Sequence, residues 1–343
     1  LGRQEIIFDG HRLFGNTIWT QGGQTNDAVR FDHAAGNHAL TFLYIEASEA
    51  GGVNTNADRN NGTYAIRAAT QGVMGGNLAG YFVVHDDNTA QSGDNEWYTI
   101  GARQAGKLAG LDYRVEYYHQ FGDGAVPATS SQQVDAYAGT ITNTSDIDRD
   151  AYLFGIRVGK TFKNARMSPT FTLWYDNKSG QDDDDVSGGD YGAYHTVLDT
   201  GHKFYGLLDN YLSDIGDDTQ RYGLEDIAIK AKFNVSEKNV FKVDWHQFLT
   251  QTDLEGSDSD TIRTAGGGAF GVQGTGALGN DLGQEIDLTL VHKYDANTKI
   301  VTGYSHYFTT VTHSWLNGSG AGDNSIDNTD DQSWFYMMID TTF

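Results

Sequence analysis

The chain has 343 residues, with 43 Gly, 19 Tyr, 17 Phe, 6 Trp, 2 Pro, no Cys and a formal net charge of −23 at pH 7. The missing cysteines exclude disulfides and thiolate metal sites, and the acidic balance disfavours contacts to nucleic-acid phosphates. No run approaches the roughly 18 apolar residues that a membrane helix needs, so the chain is either soluble or crosses a membrane as strands, whose hydropathy signal is weak because half their side chains face a lumen.

Residues 1–8 (LGRQEIIF) predict a strand, and 9–26 a Gly- and Asn-punctuated connection to a second strand at DAVRFDH (27–33). AAGNH then forms a tight turn into ALTFLYIEAS (39–48), and GGVNTNADRNNG is too hydrophilic for a core and predicts an exposed loop. The rhythm repeats. TYAIRAATQ turns at VMGGN into LAGYFVVHDD, WYTIGARQ turns at AGK into LAGLDYRVEYYHQF, and AYLFGIRVGKTF turns at KNA into SPTFTLWYDN. YGLEDIAIKAKF turns at NVSEKN into VFKVDWHQFLTQ, and LGQEIDLTLVHKY turns at DANT into KIVTGYSHYFTTV. Long polar connections separate the pairs, at about 122–148, 178–220 and 252–281 among others.

The last stretch, DQSWFYMMIDTTF (331–343), alternates cleanly. Phe335, Met337, Ile339, Thr341 and Phe343 share one face of a strand, and Trp334, Tyr336, Met338, Asp340 and Thr342 share the other. A soluble protein that stops on such a strand leaves an apolar edge exposed, whereas in a membrane barrel the last strand closes the sheet and lipid covers its apolar face. A terminal Phe after this alternation resembles bacterial outer-membrane proteins, whose assembly machinery reads the signature. That machinery, engaged through Phe343, is an expected partner, along with the lipid bilayer and lipopolysaccharide.

Short turns alternate with long polar loops over about 14 strands, which predicts an all-β fold: one transmembrane antiparallel up-and-down β-barrel domain with short periplasmic turns and long extracellular loops. A soluble β-sandwich has no reason to place every long loop at one end. The aromatics Tyr64, Trp97, Tyr98, Tyr117, Tyr152, Phe162, Trp174, Tyr175, Phe233 and Tyr294 fall at strand ends, as interfacial girdles require.

Phasing the apolar residues toward lipid leaves Arg3, Arg30, Arg67, Arg103, Arg114, Glu116, Arg157, Lys230, Lys232, Lys242, Asp244, Glu285 and Asp287 on the lumen face, with Glu5, Asp32, Asp112, Asp176 and Lys293. The cost of about 2 to 4 kcal/mol for Arg or Lys at mid-depth on the lipid side forces this placement. Rings of such charge set solute selectivity, and ion pairing that merely stiffens the wall is the competing reading. Most of the −23 then lies in loops such as QDDDD (181–185), EGSDSD (255–260) and DNSIDNTDD (323–331). Asp182, Asp183, Asp184 and Asp185 offer carboxylate oxygens to Ca²⁺, but without EF-hand spacing, so a solvated acidic surface is the favoured reading and Ca²⁺ the weaker one. No GxSxG, HExxH or Walker A motif occurs and the 11 His are scattered, so neither an enzyme nor a cofactor is expected. The Gly-rich segment 264–280 lacks the strand-to-helix context of a nucleotide loop and predicts a flexible connection.

Two stretches are more specific: GRQEIIFDGHRLFGNTIWTQGGQTNDAVRF (2–31) and DTGHKFYGLLDNYL (199–212). With LGQEIDLTLVHKYDANTKIVTGYSHYF (282–308) and the closing strand, they resemble the alginate-export family of bacterial outer-membrane porins over essentially the whole chain, in the same order. The resemblance implies a monomeric barrel in the outer membrane with a charged, Arg-rich lumen narrowed by inward loops. It also implies passive passage of polyuronates or other small polar and anionic solutes. It makes Arg3, Arg12, Arg30 and Lys203, which lie inside the matched motifs, the first constriction candidates; the alternative is that they tie inward segments to the wall. GHKFYGLLDNYL is expected to fold inward as a short helical or irregular plug. Family members have about 18 strands, so the sequence either lacks N-terminal strands or closes at about 14. Two further functions stay open: an adhesin or receptor working through acidic loops, and a barrel sheathing a partner protein.

Overall fold

The computed structural model describes residues 1–20, 22–49, 60–87, 96–124, 148–181, 185, 190–196, 198–212, 219, 222–252, 262–263, 269–270, 279–317 and 330–342. Fourteen strands follow one another across one sheet in chain order, each antiparallel to the next. They are β1 (Gly2–Gln4), β2 (Asn26–Ala35), β3 (His38–Glu49), β4 (Asn60–Val73), β5 (Gly76–Asp87), β6 (Glu96–Leu108), β7 (Leu111–Asp123), β8 (Asp148–Thr161) and β9 (Thr170–Lys178), with β11 (Leu224–Asn234), β12 (Asn239–Leu249), β15 (Asp281–Lys293), β16 (Thr298–Thr309) and β17 (Gln332–Thr341). A two-residue strand, β10 (Asp190–Tyr191), pairs in parallel with the start of β8. β13 (Ile262–Arg263) and β14 (Ala269–Phe270) form a separate ribbon within the connection 252–281, most of which lies outside the described residues.

Alternation decides which side of each strand is wet. One register row, Phe31, Phe42, Ile66, Phe82 and Ile100, runs along the outer face of five strands. The neighbouring inner row runs Leu43, Ala65, Val83, Thr99, Gln120 and Ala151. On β17 the outer side chains Phe335, Met337 and Ile339 are 65%, 66% and 63% exposed, a band of apolar surface that is stable when lipid covers it. The hairpin connections 36–37, 74–75 and 109–110 need only two residues, with Gly36, Gly75 and Gly110 at φ of 59°, 72° and 78°. The short turns all join strands at one end of the sheet.

Four expectations are corrected. The first strand stops at Gln4 instead of residue 8, because Ile6 and Phe8 turn inward and become buried. The β6–β7 turn falls at 109–110 rather than 105–107, since Ala109 and Gly110 take the left-handed conformation. Past Thr309 the chain becomes a helix, α1 (Val311–Asn317), rather than continuing as strand to 311. Trp97 and Trp174 are not girdle residues. They share parity with Thr99 and Asp176 and face inward, where Trp97 stacks on His85 at 3.9 Å between centroids. Tyr64, Tyr117, Phe162 and Tyr294 are exposed on the outside as expected.

The sheet curls around two irregular segments, the connection after β1 and residues 192–212. The first covers a cluster in which Ile6, Phe8 and Phe14 pack on Leu43, Ile45, Val83 and Leu153. The second covers Phe204, Tyr205 and Tyr211 against Leu224, Phe248, Leu282 and Tyr307. β1 and β17 are the two ends of the hydrogen-bonded path.

Candidate functional site

The two inward segments bond to each other before they bond to the wall. Gly15 N donates to Leu198 O (2.7 Å), Thr200 N donates to His11 O (3.1 Å), and Phe14 bridges Leu198 in parallel. The expected inward plug at GHKFYG is therefore present, as a short 3₁₀ turn (Gly201–Lys203) followed by irregular chain.

Arg12 is the centre of the contact. Its side chain is 1% exposed. Nη2 pairs with Asp176 on β9, Nε with Glu116 on β7 (3.3 Å), and Nη1 donates to Tyr205 OH (2.7 Å), while the guanidinium lies 3.7 Å over the Phe204 ring. One planar fork thus joins the first inward segment, the second and two strands, a geometry that a Lys ammonium does not reproduce. Burial alone would lower its pKa, but Asp176, Tyr205 and Glu116 hold it well above the ordinary value, so it stays charged.

Around this fork stand further cations. Arg114 and Arg103 approach Glu116 at 3.5 and 3.8 Å, and Arg157 approaches Asp176 at 3.5 Å while covering Trp174 at 2.8 Å from the ring centroid. Backbone geometry makes room for them: a Cβ on Gly10 would stand 3.0 Å from Arg114 Nη1. Arg103 Nε and Arg157 Nε have no hydrogen-bond partner among the described residues. Lys203 is exposed beside them and makes no ion pair among the described residues; burial, then the fields of Arg114, Arg103 and Arg12, push its pKa down. Five cations therefore stand around the buried carboxylates Glu116 and Asp176, a local concentration of basic groups in a chain that is strongly negative overall.

The adjoining strands β11, β12 and β15 carry the reverse sign, with Asp226 the register partner of Asp176. Lys230 bonds Asp244 (3.2 Å) and His246 Nε2 (3.0 Å), His246 Nδ1 pairs with Asp226 (2.8 Å), and Asp287 accepts from Ser305 Oγ (2.5 Å). Glu285 accepts the backbone N–H groups of Leu207 (2.6 Å) and Leu208 (2.9 Å), so it anchors the far end of the plug. Gly206 is required there: its φ is +81° and a Cβ would lie 2.5 Å from Glu285 Oε2.

The remaining candidates are placed as follows. Arg67 grips Asp9 through both nitrogens (2.7 and 2.8 Å), fixing the first inward segment to β4. Burial raises the Asp9 pKa, but the bonds from Arg67 and Tyr81 outweigh it and hold it below the usual carboxylate range. Arg30 pairs with Asp32 on its own strand (2.7 Å), and Arg3 pairs with Asp27 (2.7 Å) with both side chains exposed, away from the Arg12 fork. Lys232 and Lys242 face each other in the register near the short turns. Asp182, Asp183 and Asp184 lie outside the described residues, as do the acidic runs 255–260 and 323–329 and Phe343; Asp185 is described. Sequence reasoning passed over Asp226 and His246, whose parity with Lys230 and Asp244 places them on the inner face. It also passed over Asp9 and Tyr205, on irregular chain where no periodicity applies.

The family profile described as "Alginate export" matches residues 1–310. No curated protein matches the chain. Among solved structures, the NanC porin is 9% identical, with 92% of this chain and 99% of that chain covered and a TM-score of 0.32. OccD3 (OpdP) of Pseudomonas aeruginosa is 12% identical, with 100% and 74% covered and a TM-score of 0.45. The CymD monoaromatic hydrocarbon channel is 8% identical, with 84% and 79% covered and a TM-score of 0.28.

Proposed function

From its membership of the alginate-export family, to which this chain belongs over residues 1–310, we propose that the protein is an outer-membrane barrel passing small hydrophilic, anionic solutes of uronate type by passive diffusion. The observation that carries this reading is the cluster of Arg12, Arg103, Arg114, Arg157 and Lys203 around the buried carboxylates Glu116 and Asp176, at the place where the inward segments meet the wall. Fixed charge in a narrow, partly desolvated passage selects by sign, since each charge acts there at low effective dielectric.

Each part has a separate task. Arg12 holds the constriction together, since each of its three nitrogens is engaged by protein. Arg103, Lys203 and, at one edge, Arg157 meet the solute. Glu116 and Asp176 keep the arginines apart and oriented. No bond is made or broken in the solute. Lipid covers the outer face.

The test is reversal potential in planar bilayers under a KCl gradient, for the wild type and for Arg103→Ala with Lys203→Ala. Anion preference in the wild type that falls by about half or more in the double variant supports the reading. Cation preference in the wild type, or a preference indifferent to both changes, would sink it.

A further inference from the structure

Beyond the basic cluster, a group of rings gathers where the two inward segments meet β17. Trp19 stacks on His202 at 4.0 Å between centroids and 14° between planes. It meets Tyr336 edge to face at 5.0 Å and Trp334 at 6.2 Å, and those two stack on each other at 4.7 Å. Trp334 and Tyr336 sit on the inner face of β17, opposite in parity to the lipid-facing Phe335 and Met337. None of the three large rings is fully buried.

Polar groups are built into the same place. His202 Nδ1 is 2.6 Å from Asp209 Oδ1, which fixes the ring, and His202 is 9% exposed. Its Nε2 is buried with no hydrogen-bond partner among the described residues. A buried imidazole nitrogen left unpaired costs about 1 to 3 kcal/mol unless something answers it. Stacked aromatic faces beside an oriented carboxylate and an unpaired imidazole nitrogen are complementary to one ligand chemistry: a pyranose ring, whose C–H face lies on the aromatics and whose hydroxyls take the polar atoms.

We propose that Trp19, Trp334, Tyr336, His202 and Asp209 form a subsite for one pyranose ring of a permeating saccharide. In naming a sugar as the solute, the proposal rests on the channel function proposed above. His202 directly precedes Lys203 on the 3₁₀ turn, so the ring-binding group and the basic group belong to one short segment.

A neutral sugar separates the two roles, because it carries no carboxylate to pair with the arginines. The probe is cellotriose, a neutral trimer, added to single channels of the full-length protein in planar bilayers, with interruptions counted per open channel. Expected are transient interruptions in the wild type whose residence time drops about fivefold in Trp19→Leu and in Tyr336→Leu, equal to about 1 kcal/mol; either variant suffices where the other does not fold. Interruptions unchanged in a folded variant, or an open wild-type channel that cellotriose never interrupts, would overturn the subsite. A wild type that passes no current would instead count against the channel function. Tryptophan fluorescence in detergent then reads the subsite alone: quenching by cellotriose that Trp19→Leu removes and the outward-facing Trp245→Leu keeps supports it, and no quenching overturns it.

Discussion

Replacing Arg12 by Ala removes the one guanidinium that touches Glu116, Asp176 and Tyr205 together. Both carboxylates are buried, at 1% and 0% exposure, so they cannot recover water without movement of the segments above them. Deleting one partner of such a buried pair typically costs about 3 to 5 kcal/mol, because a charge is left uncompensated. Here the neighbours soften the loss: Arg114 and Arg103 remain within 4 Å of Glu116, and Arg157 within 4 Å of Asp176. We therefore expect the low end, about 3 kcal/mol, which shifts the equilibrium between docked and undocked segments on the order of a hundredfold. The strand ladders do not depend on this fork, so the barrel stays folded while the constriction loosens.

Single-channel recording and limited proteolysis read the two halves of that expectation. Arg12→Ala should show larger, noisier current and faster cleavage within residues 9–20, while the heat-induced shift in gel mobility that reports the folded sheet changes little. Arg12→Lys should fall between, keeping the charge but losing the fork. In a double-mutant cycle, Asp176→Asn should cost distinctly less in the Arg12→Ala background than in the wild type. Quiet wild-type current in Arg12→Ala with unchanged cleavage would refute the tie.

Other consequences are open to direct measurement. Met337→Arg, on the lipid face of β17, should destabilise the barrel by about 2 to 4 kcal/mol in folding titrations into bilayers, and Met338→Arg, one residue on and facing inward, by much less; equal costs would mean that the parity of β17 is misassigned. Gly206→Ala should free the plug from β15, since a Cβ there meets Glu285 in a left-handed backbone, and faster proteolysis of 199–212 would register it. Lys203 is charged below its folded pKa and neutral above it. Because that pKa is depressed, the anion preference should begin to fall at a pH below the ordinary lysine value of 10.5, and Lys203→Gln should abolish the step. Asp9 has a lowered folded pKa, so the stability it lends is present above about 3.8 and is lost as pH falls through the lower folded value; acid should loosen the first inward segment, and Asp9→Asn should loosen it at neutral pH.

The strand order was legible because period-two alternation is dictated by the pleat, and thirteen residues of β17 and its tail sufficed to assign both faces. The same parity rule, applied without the prior that aromatics at strand ends are girdles, would have turned Trp97 and Trp174 inward. Asp226 and His246 were equally available to parity, and were missed because a single His offers no spacing signal. The centre of the site was not available to periodicity at all. Asp9, Arg12 and Tyr205 lie on irregular chain, where side-chain direction depends on tertiary contacts between residues more than 100 positions apart, such as Arg12 with Glu116. Only the resemblance of the GRQ and GHKFYG segments to the family drew attention to Arg12 and Lys203, and it could not say that the first is consumed by structure while the second stays exposed.

A net charge of −23 and a positive constriction are compatible because the two act over different distances. The acidic runs of the sequence fall in the long connections between strand pairs. In water at physiological ionic strength their field decays over about 8 Å, so it shapes the approach of an ion and little else. The arginines and Lys203 act within a few ångströms of a passing solute and away from bulk water, where each charge is worth several times more. Selectivity should accordingly survive high salt better than the rate of entry does. Raising KCl from 0.1 to 1 M is expected to remove any rectification due to the loops while leaving most of the anion preference. If preference and rectification vanish together, the loops rather than the constriction set the sign.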